Sequence, residues 1–130
     1  MARNINLLVA DRNPHVRAYL DRELKAAGYG VWLVASARDL MSWLHNPEPL
    51  DLLILDPELP GLDPGMLHES LRMRRPRLKL VLHTIAAEDH SAMALPPADA
   101  LVEKSGRSLL TLKTTVEALI QQRDIAVGDE

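Results

Sequence analysis

Five short, largely apolar runs recur along the chain: INLLVA, GVWLVA, LDLLIL, LKLVLHT and ADALVEK. Runs such as LDLLIL, which lack a regular polar alternation, are typical of a strand that is covered on both faces. A parallel sheet held between two layers of helices provides that environment. The pattern therefore predicts five strands of one parallel sheet.

Segments with apolar residues at helical spacing separate and follow these runs, and each opens with residues that favour the start of a helix. The predicted starts are Asn13-Pro14, Ser36, Asp63-Pro64 and Ser105-Gly106. One further segment, AAEDHSAMALPPAD, has room for only about two turns before its proline pair. We expect the helix there to be short or mobile.

Strand and helix alternate five times in this pattern, which predicts an α/β fold of the doubly wound type, with right-handed crossovers and helices on both faces. A length of 130 residues suits one domain. We place that domain at residues 1–123 and a flexible C-terminal tail at residues 124–130. The core should be aliphatic, because the chain has no Phe and only two Trp and two Tyr.

Charge and composition narrow the classes of function. The 15 basic and 18 acidic residues give a net charge of -3 without a block of either sign, so we expect no direct nucleic-acid binding and no membrane binding. The absence of Cys excludes disulfides, thiolate metal sites and cysteine nucleophiles. Asp11 cuts off the first apolar run, which is too short for a signal peptide or a membrane span. We expect a soluble, cytoplasmic protein.

Residues suited to phosphoryl chemistry stand at the carboxyl ends of four predicted strands: Asp11, Asp56, Thr84 and Lys104. Ligands of doubly wound sheets bind at this edge. Carboxylates are hard oxygen ligands for an ion such as Mg²⁺, and a carboxylate is also a nucleophile that takes a phosphoryl group. A hydroxyl and a lysine can bind and neutralise the phosphoryl oxygens. The four side chains together favour phosphoryl transfer.

Several motifs, in one order, resemble the receiver domain of two-component response regulators. LLVADRNPHVR resembles the first strand and the helix start of that family, and DLLILDPELPGLD resembles its phosphoacceptor strand and loop. VLHT and LVEKS resemble its fourth and fifth strands. The resemblance runs from about Ile5 to Gln122. It implies a flavodoxin-like fold whose five parallel strands have the order 2-1-3-4-5.

The resemblance implies a role for each residue that matches. Asp56 would be the phosphoacceptor, Thr84 the hydroxyl that responds to phosphorylation, and Lys104 the phosphate partner. Asp11 and Asp56 would ligate Mg²⁺ together with the backbone carbonyl of Glu58.

The same resemblance implies a signalling domain and not an enzyme, with at most self-phosphotransfer and autodephosphorylation. The phosphoryl donor would be a histidine kinase or a phosphotransfer protein. The signal would pass to a downstream protein partner or to an output domain. A homodimer through the last strand and the last helix is a further option.

Three positions depart from the family pattern. Arg12 stands where the family usually has a second consecutive acid. Leu101 stands in place of an aromatic residue three positions before the lysine, and Ser105 stands in place of the proline after it. These changes bear on the metal site and on the relay of the signal.

Arg12 leaves two functions open. The formal charges of Asp11, Arg12, Asp56 and Lys104 sum to zero, whereas an acid at position 12 would make the sum -2. Either Arg12 turns into solvent when a metal binds, or it replaces the metal by pairing with Asp56 or Asp11 through its planar guanidinium. The first case gives a working receiver. The second lowers or abolishes phosphorylation and gives a pseudo-receiver, an interaction module in one fixed state.

A more remote alternative is a small phosphatase or a cofactor binder on a similar sheet. Such a phosphatase needs a second carboxylate two residues after the aspartate of the first strand, and Asn13 stands there. A flavin binder needs a phosphate-cradling loop with glycine, which ADRNP lacks. The five histidines show no compact ligand spacing, so surface or packed positions are expected for them.

Overall fold

One parallel sheet organises the chain. The computed structural model describes residues 4–74, 76–85 and 97–128, with side chains described through residue 122. The strands are β1 (Asn6–Ala10), β2 (Gly30–Val34), β3 (Leu52–Leu55), β4 (Lys79–Thr84) and β5 (Ala100–Glu103). All neighbouring pairs are parallel, and the order is β2-β1-β3-β4-β5. The predicted five-stranded, flavodoxin-like sheet is confirmed.

The helices within the described residues are α1 (Pro14–Ala26), α2 (Ala37–Leu44), α3 (Pro64–Arg72) and α4 (Ser108–Gly128). The first three begin at predicted caps, whose side chains accept a backbone N–H group of the first turn: Asn13, Ser36 and Asp63. α1 ends just before Gly28, whose φ of 99° is a conformation that glycine adopts readily. No helix in the described parts of the chain is both long and apolar enough to span a bilayer.

The sequence made two predictions about the later part of the chain, a short fourth helix and a flexible C-terminal tail. The helix expected within AAEDHSAMALPPAD falls largely on residues 86–96, which lie outside the described residues. α4 extends to Gly128, so the backbone of residues 124–128 is helical where a flexible tail was predicted. The reason is that neither proline nor glycine interrupts the sequence between Gly106 and Gly128. The domain boundary at residue 123 and the flexibility of residues 124–130 stay predictions.

Apolar side chains pack on both faces of the sheet, as a doubly wound fold requires. Leu8 and Ala10 of β1 join buried residues of α2 and α3 on one face. Leu7 and Val9 join buried residues of α1 and α4 on the other face. All four side chains are fully buried, and each buried leucine stabilises the fold by about 1.5–3 kcal/mol. The packing on both faces therefore fixes the position of β1 and of the residues that directly follow it.

Candidate functional site

The two central strands β1 and β3 each lead directly into an aspartate. Asp11 follows β1, Asp56 follows β3, and the two strands are neighbours in the sheet. The backbone N–H of Asp11 donates to the Val34 carbonyl, and that of Asp56 donates to the Ala10 carbonyl. The sheet hydrogen bonds thus continue past the strand ends and fix both aspartates at one edge. Both residues are only 1% exposed.

The two carboxylates are held in the same way. The Oδ1 atom of Asp11 accepts the backbone N–H of Asn13 at 2.8 Å, and the Oδ1 atom of Asp56 accepts that of Glu58 at 3.0 Å. Each contact is a turn in which an aspartate binds the backbone two residues on. The Oδ2 atoms of both aspartates are buried and have no hydrogen-bond partner within the described part of the chain. One oxygen of each carboxylate therefore remains for interactions with cations.

Lys104, the residue after β5, approaches both of these oxygens. Its Nζ atom lies 3.4 Å from Asp56 Oδ2 and 3.6 Å from Asp11 Oδ2. Its backbone N–H donates to the carbonyl of Thr84. Thr84 is the last residue of β4 and is 1% exposed. The four strand-end residues singled out in the sequence therefore share one edge of the sheet, and three of them form one charged cluster.

Arg12 turns toward the same cluster. Its Nε atom lies 3.4 Å from Asp56 Oδ2, and its Nη2 atom donates to Glu58 Oε2. The side chains of Arg12 and Glu58 are 42% and 45% exposed, whereas that of Asp56 is buried. The Arg12–Glu58 pair therefore lies on the solvent side of Asp56. Of the pairings considered from the sequence, the one observed is between Arg12 and Asp56.

His83 in β4 is a site residue that the sequence pattern did not assign. It is 1% exposed. Its Nε2 atom lies 3.0 Å from Ser108 Oγ, and its Nδ1 atom lies 3.7 Å from Asp11 Oδ2. The Ser108 hydroxyl also lies 3.1 Å from the Ser105 carbonyl oxygen, to which it donates. The available signal was a lone imidazole inside an apolar strand, since a buried polar group needs a partner.

Asp11 is held as an anion. Burial alone would raise the pKa of its carboxyl group, but His83, the Asn13 N–H and the Lys104 ammonium outweigh burial and lower that pKa below its ordinary value. Arg17 of α1 donates to the Asp11 carbonyl at 2.6 Å and anchors the backbone as well. Asp11 is thus a fixed negative charge beside Lys104.

A divalent cation does not fit among these residues as they are arranged. The Oδ2 atom of Asp56, one of its expected ligands, already faces the Arg12 guanidinium at 3.4 Å. Two unit charges about 4 Å apart interact by about 4 kcal/mol at an effective dielectric near 20, and a divalent ion doubles the repulsion from an arginine. Among the described residues, no group of three or more His, Asp or Glu side chains is placed to hold a metal. A metal on the expected ligands, the carboxylates of Asp11 and Asp56 with the backbone carbonyl of Glu58, would require Arg12 to leave Asp56. This ligand set stays a prediction.

Comparison with known proteins identifies the family. The model of the response regulator receiver domain matches residues 7–105. The chain belongs to the response regulator receiver domain family. This receiver domain is 30% identical, over 94 residues, to the DNA-binding transcriptional regulator NtrC from a Bradyrhizobium species. The match covers 72% of this chain and 19% of NtrC, so the chain spans about a fifth of that regulator.

Solved structures agree with this assignment. The response regulator TrrA from Thermotoga maritima, in complex with Mg²⁺ and BeF, is 28% identical with a TM-score of 0.72, covering 88% of this chain and 98% of TrrA. TrrA in complex with the histidine kinase ThkA gives a TM-score of 0.69 at the same identity, covering 88% of this chain and 97% of TrrA. A CheY-like receiver domain protein from Methanospirillum hungatei has a TM-score of 0.76 at 24% identity, covering 94% of this chain and 98% of that one, and it supports the fold alone. The predicted role in two-component signalling is confirmed.

We expect the buried contact of His83 to stabilise this receiver domain. His83→Leu should lower the free energy of unfolding by about 1–3 kcal/mol, because it removes the imidazole beside the buried Asp11 carboxylate and the hydrogen bond to Ser108. His45 is the matched control, since its Nε2 atom also lies 3.0 Å from a serine hydroxyl, that of Ser70, but on an exposed side chain. His45→Leu should change the free energy by less than about 0.5 kcal/mol. Equal losses in urea unfolding of the two variants would contradict a special role for His83.

Proposed function

We propose that this receiver domain accepts a phosphoryl group on Asp56 and passes the resulting change to a protein partner. The observation that carries the proposal is the setting of Asp56 Oδ2. This buried oxygen has no hydrogen-bond partner in the described part of the chain and lies 3.4 Å from both Lys104 Nζ and Arg12 Nε. A carboxylate oxygen that no donor occupies is available as a nucleophile. The two cations stand where negative charge would accumulate during transfer.

The neighbouring residues take supporting parts in this proposal. Lys104 would bind the transferred phosphoryl oxygens, and Asp11 would hold the lysine in place through its own carboxylate. Thr84, buried at the end of β4, would donate its hydroxyl to a phosphoryl oxygen. This hydrogen bond would move Thr84 and change the conformation at the end of β4. That conformational change would be the signal that a partner detects. Any hydrolysis of the phosphorylated state would be autodephosphorylation.

The partners in this proposal follow from the family. The donor would be a histidine kinase or a phosphotransfer protein, which the complex of TrrA with ThkA supports. The receiver of the signal would be a separate protein or an output domain, as the much greater length of NtrC suggests. β5 is an edge strand, and Leu101 on it and Leu110 on α4 are 46% and 62% exposed. These residues support a partner surface, or a homodimer, formed by the last strand and the last helix.

Mg²⁺ can take part in this proposal on one condition, which concerns the position of Arg12. The relative TrrA is solved in complex with Mg²⁺ and BeF, which supports Mg²⁺ as a cofactor in this proposal. In this chain a Mg²⁺ ion would require Arg12 to leave the carboxylates. With 42% of its side chain exposed, Arg12 has access to solvent.

A second candidate function rests on the contact between Arg12 and Asp56. An arginine that pairs with the acceptor could keep phosphoryl donors away from it. The domain would then be a pseudo-receiver that binds its partner in one fixed state. This function shares the fold and differs only in the chemistry of Asp56.

Phosphorylation of the intact protein tests the proposal. We would incubate it with acetyl phosphate and Mg²⁺ and record the intact mass promptly, because acyl phosphates are labile. The wild type and Asp39→Asn, which alters an exposed aspartate, should gain one phosphoryl group. Asp56→Asn should gain none. No gain in the wild type, beside a related receiver that is phosphorylated in parallel, would favour the pseudo-receiver.

A further inference from the structure

The acceptor oxygen lies between two cationic side chains that come from different strand ends. Arg12 follows Asp11 at the end of β1, and Lys104 follows β5. Their nearest nitrogen atoms are each 3.4 Å from Asp56 Oδ2. The guanidinium also spans the gap from Asp56 to Glu58, which it binds through Nη2. A planar guanidinium presents several N–H donors at fixed angles, which suits the oxygens of a phosphoryl group.

The four charged groups around the acceptor oxygen balance one another before any ligand arrives. Two buried carboxylates, Asp11 and Asp56, face two cations, Arg12 and Lys104, and the formal sum of these four groups is zero. The half-exposed Glu58, which binds Arg12 from the solvent side, brings the wider sum to -1. An acid at position 12 would leave an excess of negative charge, which opposes the approach of an anionic phosphoryl donor unless a cation is added. In this chain the side chain of Arg12 already supplies that cation.

We propose that Arg12, together with Lys104, supplies the positive charge for phosphoryl transfer to Asp56, so that this site accepts phosphoryl groups from acyl phosphates without a divalent cation. The inference rests on the proposed function, in which Asp56 is the acceptor. It assigns to Arg12 the neutralisation of the transferred group. Arg12 is then a catalytic residue and not a block.

The transfer needs no further reactant. A lone pair of Asp56 Oδ2 forms the bond to phosphorus, and the bond from phosphorus to the acyl oxygen of acetyl phosphate breaks. Acetate leaves with that electron pair. N–H groups of Arg12 and Lys104 donate to the phosphoryl oxygens throughout, so the charge that moves onto them is neutralised where it develops.

The exposure of the Arg12–Glu58 pair allows the necessary movement. Both side chains are more than two-fifths exposed, and exposed ion pairs hold their geometry weakly. The guanidinium can therefore shift from Glu58 to an arriving phosphoryl group without opening the core. Asp56 itself stays fixed by the N–H of Glu58.

The test compares initial rates of phosphorylation by acetyl phosphate in Mg²⁺ and in EDTA. For the wild type we expect the two rates to differ by less than about threefold. Arg12→Asp, which restores an acid, should be phosphorylated at least about tenfold faster in Mg²⁺ than in EDTA. Arg12→Gln removes the positive charge without adding a negative one. It should lose most of the phosphorylation rate that the wild type shows in EDTA. Arg22→Asp makes the same charge change on an exposed part of α1 and should behave as the wild type.

A second readout does not depend on phosphorylation. Mg²⁺ should raise the melting temperature of Arg12→Asp and leave that of the wild type and Arg22→Asp unchanged, because binding to the folded state alone stabilises it. This measurement also shows whether Arg12→Asp is folded.

The outcomes separate the two proposals. Phosphorylation of the wild type only in Mg²⁺ overturns the role of Arg12 and leaves Asp56 as the acceptor. Phosphorylation of Arg12→Asp but not of the wild type overturns it as well, since Arg12 then closes the site. If neither protein is phosphorylated under any condition, the proposed function fails and this inference fails with it.

Discussion

Lys104→Met is expected to slow phosphorylation of Asp56 by about 10²-fold, the usual effect of removing one group that stabilises the charge of a transition state. Its ammonium lies within 3.6 Å of both Asp11 and Asp56. Methionine keeps a similar length and an apolar stem, so the variant removes the charge with little loss of packing. The rate is measured from the gain in intact mass with acetyl phosphate.

Lys113→Met is the matched control for this prediction. Lys113 lies on α4 and forms an ion pair at 3.7 Å with Glu23 of α1, away from the carboxylate cluster. The control should be phosphorylated at the rate of the wild type. If both lysine variants keep that rate, Lys104 is not the phosphate partner.

Arg12→Asp is expected to lower the free energy of unfolding by about 2–3 kcal/mol in EDTA, after allowance for solvent screening of a half-exposed side chain. The substitution replaces the attraction between position 12 and Asp56 with repulsion, and Asp56 is buried. It also adds a carboxylate next to Asp11, in a cluster that already holds Asp56 and Glu58. Uncompensated charge next to buried carboxylates is costly. Urea unfolding at neutral pH measures the loss.

Arg22→Asp makes the same change of charge without the buried partner. Arg22 is 69% exposed, and its ion-pair partner Glu23 is a neighbour on α1. This variant should lie within about 0.5 kcal/mol of the wild type. A loss as large as that of Arg12→Asp would mean that the net charge of the protein, and not the contact with Asp56, determines its stability.

Most of the fold follows from local signals in the sequence. Apolar runs without alternation predicted the strands because β1 and β3 lie inside the sheet with helices on both faces. Asn13, Ser36 and Asp63 predicted three helix starts because each binds its own first turn. The end of α4 was not predicted, because no residue before Gly128 marks a stop.

The site was predictable where strand ends determine it. Asp11, Asp56, Thr84 and Lys104 share one edge because parallel strands deliver their carboxyl ends to the same side. The contacts of Arg12 depend on the choice of side-chain conformation, which a sequence pattern does not contain. The sequence therefore left open whether Arg12 pairs with a carboxylate or turns into solvent. In the structure its guanidinium lies beside Asp56.

The contacts of His83 could not be predicted from the sequence. Its partners Asp11 and Ser108 lie in β1's end and in the first turn of α4, far apart along the chain. The spacing of residues along one strand or helix does not reveal a set that is drawn from separate elements. Only the order of the strands brings the three together.

A crystal structure of the protein treated with beryllium fluoride would test the central claim most directly. We expect a tetrahedral fluoride adduct on Asp56 Oδ2, with nitrogen atoms of Arg12 and Lys104 within about 3 Å of its fluorine atoms, a normal hydrogen-bond distance. An adduct that holds Arg12 in solvent, with a divalent cation between Asp11 and Asp56, would contradict the role of Arg12. Clear density for an unmodified Asp56 still paired with Arg12 would contradict its role as the phosphoacceptor.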